Sequence, residues 1–272
     1  MSPFPTQTAT HQHAPLTCFN HLEDQLKESL PHLNKALNTC QYYNEEQFSA
    51  VKNKGLSLLT HNLNGFSKKK DDFETLLLNI KHKFDIISVT ETHLNSTTEK
   101  YTQLGNYNAL FNSRRLRTWG GVALFVKPDI TFIPRPDLDV LDEGVFESVF
   151  VEILKGGRTL IIGTIYRPPS SDSRFFEHLE TLLDKIRDKQ SYLLGDFNFD
   201  LLKSTENADT ARFLSDLNTY GMHPLISLPT RITEQTASIL DNIFTNDYYR
   251  PLSSGLIVSQ LSDHLPAFAV YE

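Results

Sequence analysis

From Gly55 to the C-terminus, strand-length apolar runs alternate with segments whose apolar residues recur every three or four positions. This alternation constrains the fold more than any other feature of the 272-residue chain. Leu56–Leu63, Phe84–Thr90, Gly121–Val126, Phe146–Leu154, Thr159–Tyr166, Tyr192–Gly195, Ile239–Phe244 and Leu265–Tyr271 read as strands. Phe73, Leu76, Leu77 and Ile80 mark one face of a helix, with Asp71 and Asp72 near its positive N-terminal end. Phe176, Leu179, Leu183 and Ile186 mark a second helix, and Ala211–Tyr220 reads as a third. Gly156-Gly157 supplies a turn between two of the strands. Hairpin neighbours mixed with helical crossovers predict two mixed sheets packed face to face and covered by helices, a layered α/β sandwich.

The first part of the chain has a different character. Met1–Leu16 is rich in Thr, Pro, Gln and His and has no periodicity, so it reads as disordered. Leu22, Leu26, Leu30, Leu33 and Leu37 recur at helical spacing, but Pro31 interrupts them. Residues 1–54 are therefore expected to form a disordered or partly helical extension, and residues 55–272 the folded domain. His11, His13, His21 and His32 are too irregularly spaced for a metal site and read as surface residues.

Composition narrows the function classes. With 39% hydrophobic and 22% charged residues, the chain is globular rather than collagen-like or low in complexity. Its longest apolar runs are strand-length, so no membrane span is expected, and no basic start followed by an apolar run marks a secretory signal. Cys18 and Cys40 both precede the region that carries the chemistry, which excludes a disulfide scaffold or a cysteine-ligated zinc there and suits a reducing compartment. The net charge of −7 speaks mildly against a protein that holds nucleic acid by phosphate contacts alone. It does not speak against an enzyme that gathers carboxylates around a divalent metal, because the ion inverts the local charge. Lys68-Lys69-Lys70 reads as solvated loop charge or as a phosphate contact, and Arg114, Arg115 and Arg117 more readily as phosphate contacts.

Polar residues fall at the strand ends. Asn62 and Asn64, Glu91, Tyr166, and Asp196 with Asn198 follow four of the strands; Asp263 and His264 precede the last, and Asp241 and Asn242 lie within another apolar segment. One such residue is usually a turn former or a satisfied polar group. Several together are harder to dismiss, since strand ends converge on one rim of a sheet. Oxygen ligands such as Glu91 and Asn62 suit a hard cation like magnesium. His264, oriented through one nitrogen by Asp241, can hold or move a proton near neutral pH. Tyr166 and Asn198 offer neutral donors for a developing oxyanion.

The stretches His61-Asn62-Leu63-Asn64-Gly65, Thr90-Glu91-Thr92-His93, Tyr166-Arg167-Pro168-Pro169, Gly195-Asp196-Phe197-Asn198, Leu240-Asp241-Asn242 and Ser262-Asp263-His264 resemble, in order, those of the endonuclease/exonuclease/phosphatase superfamily. Gly120–Val126, the Tyr-Arg-Pro-Pro turn and Ser262-Asp263-His264-Leu265-Pro266 resemble more narrowly the endonuclease domain of non-LTR retrotransposons, which nicks chromosomal DNA to prime reverse transcription. The resemblance implies a four-layer, DNase I-like α/β sandwich and a Mg2+-dependent DNA endonuclease, with Mn2+ a possible substitute. It implies that Asn62 and Glu91 bind the metal, with Asp263 a further ligand or orienter. Tyr166 is implied to contact the phosphate and Asn198 to stabilise the transition state. Asp196 and His264 are implied to carry the proton chemistry, in which either is the general base, and Asp241 to orient His264. Arg114, Arg115, Arg117 and Arg231 are candidates for DNA contact, and an intracellular location, nuclear if chromosomal DNA is the target, is expected. Two alternatives stand beside the nuclease: a phosphoesterase acting on a phospholipid, inositol phosphate or other small phosphate, and a non-catalytic interaction domain that kept the fold.

The sequence departs from the family pattern at two positions. Asn242 stands where an aromatic residue is frequent, which is expected to alter how DNA is held nearby, and Asn64 stands where many relatives have aspartate, which puts a second acidic ligand in doubt. No reverse transcriptase follows Glu272, so an excised domain, a truncated element or a host-adopted copy is expected.

Overall fold

The computed structural model describes residues 35, 37–49, 51, 55–155, 157–247 and 252–271. Most of the Leu22–Leu37 periodicity, the four early histidines and Cys18 lie outside these residues. In chain order the strands are β1 (Gln41–Tyr43), β2 (Ser57–Asn62), β3 (Ile86–Thr90), β4 (Asn108–Asn112), β5 (Val122–Val126), β6 (Phe132–Pro134), β7 (Val140–Asp142) and β8 (Phe146–Lys155). They continue with β9 (Arg158–Tyr166), β10 (Gln190–Asp196), β11 (His223–Pro224), β12 (Arg231–Ile232), β13 (Ala237–Ser238), β14 (Asp241–Thr245), β15 (Leu252–Ile257) and β16 (Ala267–Tyr271). The α-helices that lie wholly within the described residues are α1 (Glu45–Ser49), α2 (Phe66–Asn79), α3 (Arg174–Ile186) and α4 (Ala208–Thr219). None among the described residues is long and apolar enough to cross a membrane.

Two seven-stranded mixed sheets form the centre. One has the order β1-β15-β16-β2-β3-β5-β4; the other runs β11-β14-β10-β9-β8-β6, with β7 also paired to β8. Each contains one parallel pair joined through a helix, β2 with β3 across α2 and β9 with β10 across α3. The remaining pairs around these are antiparallel, except that β1 adds to β15 in parallel. Part of the expected N-terminal extension thus lies within the first sheet.

Side-chain alternation sorts the core into three apolar layers. Leu58, Ile86 and Leu124 from the first sheet meet Val151, Ile162, Tyr192, Leu194 and Ile243 from the second. Leu59, Ile87, Val89, Phe125 and Phe268 face the other way, onto Phe66, Phe73 and Leu76 of α2. Ile161, Ile165, Leu193 and Phe244 pack on Phe175 and Leu179 of α3 and Phe213 and Leu217 of α4. The result is the predicted order of helix, sheet, sheet and helix.

Two local expectations need correction. Helix α2 begins at Phe66, directly after Gly65 at φ 106°, so Asp71 and Asp72 lie beyond its first turn. Lys68-Lys69-Lys70 belongs to that helix rather than to a loop.

Candidate active site

The inward-facing rows of the strands are apolar through the middle of the sandwich and turn polar toward one end. On β2 the row runs Leu58, Thr60, Asn62; on β9 Leu160, Ile162, Thr164, Tyr166; on β10 Tyr192, Leu194, Asp196; on β14 it starts at Asp241 and continues through Ile243. Register brings these polar ends together. Asn62 pairs with Thr90, the residue before Glu91, and Asp196 pairs with Tyr166 on one side and Asp241 on the other. Strand β16 runs antiparallel to β2, so His264, just ahead of β16, arrives at the same rim. Carboxyl ends of parallel strands are where open α/β sheets place their ligands.

Hydrogen bonds then tie the two sheets together. The Asn62 amide Nδ2 donates to Glu91 Oε1 and to Asp196 Oδ2, each at 2.8 Å. His264 Nδ1 donates to Asp241 Oδ2 at 2.7 Å, leaving Nε2 for other partners. Asp196, Asp241 and His264 each place a ligand-type atom within 4.8 Å of the others, and all three are buried. Asp196 Oδ1 accepts the Asn198 backbone N–H at 3.0 Å, and Asn198 Nδ2 donates to the Arg167 carbonyl at 2.8 Å. On the helix side of β2, buried His61 donates through Nε2 to the His264 carbonyl at 3.0 Å, which fixes the backbone beneath that imidazole.

The backbone is bent where chemistry is expected. Glu91 and Asn198 have φ of 51° and 49°, left-handed conformations that non-glycine residues adopt only when their surroundings enforce them. Gly195, at φ 145°, lies against β9 so closely that a Cβ would sit 1.8 Å from the Ile165 carbonyl oxygen. This close approach sets the height of Asp196 beside Tyr166.

Electrostatics separate the roles. Burial opposes the charge of Glu91, but hydrogen bonds from His93 and Asn62 outweigh it and keep its pKa below the usual glutamate value. Burial, reinforced by the neighbouring Asp241 carboxylate, pushes Asp196 up to about 7. Burial disfavours the His264 imidazolium, yet attraction to Asp241 and the bond between them raise it to about 9. Burial and the charges of Glu91 and Asp196 drive the Tyr166 phenol well above its ordinary value, so it stays a neutral donor.

The donor set fits a hard divalent cation. The positive end of the Asn62 amide bridges two carboxylates, and the buried Asp241 Oδ1 has no partner, so the rim is short of positive charge. Only oxygen and imidazole donors are on offer there, the set that suits magnesium rather than a thiolate-bound metal.

Of the residues singled out from the sequence, Asn62, Glu91, Tyr166, Asp196, Asn198, Asp241 and His264 share this rim. Asp263 is exposed; its carboxylate takes the Nε–H of Arg231 at 2.7 Å, an ion pair that holds its pKa down against partial burial. Arg231 itself is exposed and bridges by its backbone to His264. Arg114 departs from the expected role in DNA contact. It is buried, and its Nε donates at 2.6 Å to Glu147, which is wholly buried and also accepts the Gly121 N–H at 2.6 Å. Arg115 and Arg117 remain exposed. Asn242 is likewise reassigned: it faces the helix layer, where Oδ1 accepts the N–H groups of Leu225 and Ile226, and it does not line the rim. Asn64 sits at φ 46° and is exposed, its N–H held by Asn62 Oδ1 at 3.0 Å. Sequence reasoning marks the turn near Thr230-Arg231 only as a candidate for DNA contact and misses the task of Thr230, whose hydroxyl accepts from the Leu240 and Asp241 N–H groups and whose carbonyl accepts from Leu265, joining the Asp241 and His264 segments. Nothing in its sequence context signals that role.

Comparison with known proteins agrees with this geometry. The model of the endonuclease/exonuclease/phosphatase family matches residues 59–264, from β2 to the rim histidine. No match was found among curated protein sequences. Among solved structures, the chain is similar to the endonuclease domain of TRAS1, a telomere-specific non-LTR retrotransposon, at 17% identity and TM-score 0.61, covering 80% of this chain and 98% of that one. A 3′ phosphatase from Neisseria bound to product DNA hairpin matches at 16% identity and TM-score 0.58, covering 80% and 99%. An AP endonuclease from Archaeoglobus fulgidus matches at 16% identity and TM-score 0.57 with the same coverage. At such identities the likeness concerns the fold; the family match covers most of the chain, which therefore belongs to the endonuclease/exonuclease/phosphatase family.

Proposed function

We propose that the protein is a magnesium-dependent DNA endonuclease that hydrolyses one phosphodiester bond at a time, with manganese able to substitute. The observation that carries this reading is the Asn62 bridge between Glu91 and Asp196, next to the Asp241–His264 pair. It supports a metal-holding half and a proton-handling half within one buried rim. Glu91 and Asn62 hold the cation, with Asp263 at the exposed edge as a further ligand or orienter. When bound, the cation relieves the charge on the phosphate oxygens.

The chain's own residues do the rest. Asp241 accepts the Nδ1–H hydrogen bond of His264, which presents Nε2 to the substrate and favours the charged imidazole beside a phosphate. Asp196, held by Asn62 and the Asn198 N–H, shares the proton transfer with His264. Tyr166 donates a hydrogen bond from its neutral phenol to a phosphate oxygen. Asn198 adds a neutral donor from a backbone conformation that the Arg167 carbonyl helps to fix. The nicking activity of the retrotransposon-type domain that the motifs resemble supports DNA as substrate.

The test is conversion of supercoiled plasmid to open circle. The wild-type chain should nick with Mg2+ present, stop when the ion is chelated, and lose activity in Asp196→Ala. Plasmid left intact while inositol phosphates or phospholipids are hydrolysed would move the protein to another branch of the family.

A further inference from the structure

Beside the rim, the loop 113–121 carries two large apolar side chains into solvent. Leu116 is 91% exposed and Trp119 is 68% exposed. A floppy loop would fold such groups inward, but this one is held open from below. The Glu143 carboxylate accepts the backbone N–H groups of Arg115, Leu116 and Arg117 at 2.6, 3.0 and 3.0 Å. At its root lies the buried Arg114–Glu147 pair. Gly120 and Gly121, at φ 113° and 83°, press against Arg114 and Thr92 where a Cβ would come within 2.3 and 2.7 Å of their side chains.

The same loop is fastened to the turn that bears Glu91. Thr92 N–H donates to the Gly121 carbonyl at 3.1 Å and His93 N–H to the Gly120 carbonyl at 2.8 Å. The Trp119 ring stands edge-on to His93, with centroids 4.9 Å apart, and His93 Nε2 lies 3.4 Å from Glu91 Oε2. One imidazole therefore separates the exposed indole from the candidate metal ligand. Arg115 and Arg117, four and two residues before Trp119 on the same loop, are exposed positive charges.

We infer that Trp119 is a base-contacting residue, its indole seating against a nucleobase of the DNA strand that lies across the rim. This rests on the nuclease reading, because that reading places the phosphodiester at Glu91. Bases next to that phosphate come within reach of Trp119, and an exposed aromatic ring on a loop that also carries exposed arginines is the kind of surface by which proteins hold nucleic acid through stacking and backbone contact together. Orientation by the Glu143 clamp makes the indole a positioning device: it sets which bond reaches the rim.

Trp119 is the chain's single tryptophan, so its fluorescence reports the contact directly. Full-length protein in chelator, which prevents cleavage, is titrated with end-labelled duplex DNA while indole emission and label anisotropy are followed together. Heparin, a polyanion without bases, is the second probe. DNA should quench the emission in step with binding, and heparin should bind without equal quenching. Trp119→Ala should weaken DNA binding about 5- to 100-fold, the range spanned by stacking of one base on one ring, whereas Trp119→Phe should stay near the wild type. Melting curves identify any variant that fails to fold, and the emission result needs no variant. DNA binding with unchanged emission, equal quenching by heparin, or wild-type affinity in Trp119→Ala overturns the assignment. So does absence of DNA binding, which removes the nuclease reading with it. Plasmid nicking measured in parallel separates the two ideas: nicking with silent emission sinks only the base contact, and quenching without nicking sinks only the nuclease.

Discussion

Asp241 determines what His264 can do, since the bond to Nδ1 selects the nitrogen that faces substrate. Asp241→Asn preserves the shape but removes the charge that holds the imidazole proton. Plasmid-nicking kinetics should show kcat lowered about 10²- to 10⁴-fold, the usual size of a general acid–base contribution, with KM little changed. A variant with kcat within a factor of a few would detach Asp241 from the chemistry. Arg114 illustrates the opposite case, a residue with a chemical-looking signature and a structural task. Burial raises the pKa of Glu147 even with the guanidinium bound to it. Arg114→Ala leaves that carboxylate buried without its partner and should cost about 3–5 kcal/mol in denaturant unfolding, well beyond a surface charge deletion. The sequence could not have shown this, because the partner lies 33 positions away and only the fold joins them.

At the scale of elements, α4 holds part of the site in place from behind. Phe213 is wholly buried, stacks on Phe199 at 4.6 Å between centroids, and meets Phe197 at 5.3 Å and Phe244 at 5.4 Å. Phe197 lies between Asp196 and Asn198, so this aromatic cluster anchors the turn that bears both. Phe213→Ala should lower stability by about 3–5 kcal/mol, read from denaturant midpoints, and a loss below about 1 kcal/mol would mean that the cluster collapses around the gap. The strands and helices that bury an apolar face were legible from period alone: β2, β3, β5, β8, β9, β10, β16, α3 and α4 all fall where the pattern puts them. What escaped were short or edge elements. Strand β4 is half exposed, β6 and β7 are three residues each, and β15 mixes Ser254 and Gly255 into its apolar row, so tertiary pairing rather than local pattern makes them strands. The site residues were legible as polar ends of apolar rows, but their convergence depends on register. Trp119 was not legible at all, because an aromatic beside two glycines reads as an ordinary loop.

For the whole molecule, buried imidazoles set the acid limit. Burial lowers both His61 and His223 to about 4, and each is enclosed by packed elements, His61 under β2 against Phe73 and His223 on β11. In the unfolded chain they titrate near 6.5, so between 6.5 and 4 the unfolded state binds more protons. The contribution of these two histidines is therefore complete above about pH 6.5 and is lost as pH drops toward 4, by up to about 3 kcal/mol for each histidine. Asp139 works in the other direction. Burial raises it to about 6 despite the N–H bond from Phe150, so its protonation favours the fold as pH falls through 6, and it offsets part of the acid loss. Asp139→Asn keeps the Oδ1 acceptor and removes the charge, and it should raise stability at pH 7 to 8 while converging on the wild type below about pH 4. Urea unfolding from pH 4.5 to 8 tests both statements. His223→Gln should flatten the acid limb and Asp139→Asn should lift the neutral plateau. An acid limb of unchanged slope in His223→Gln would mean that buried carboxylates, rather than imidazoles, govern how this sandwich fails in acid.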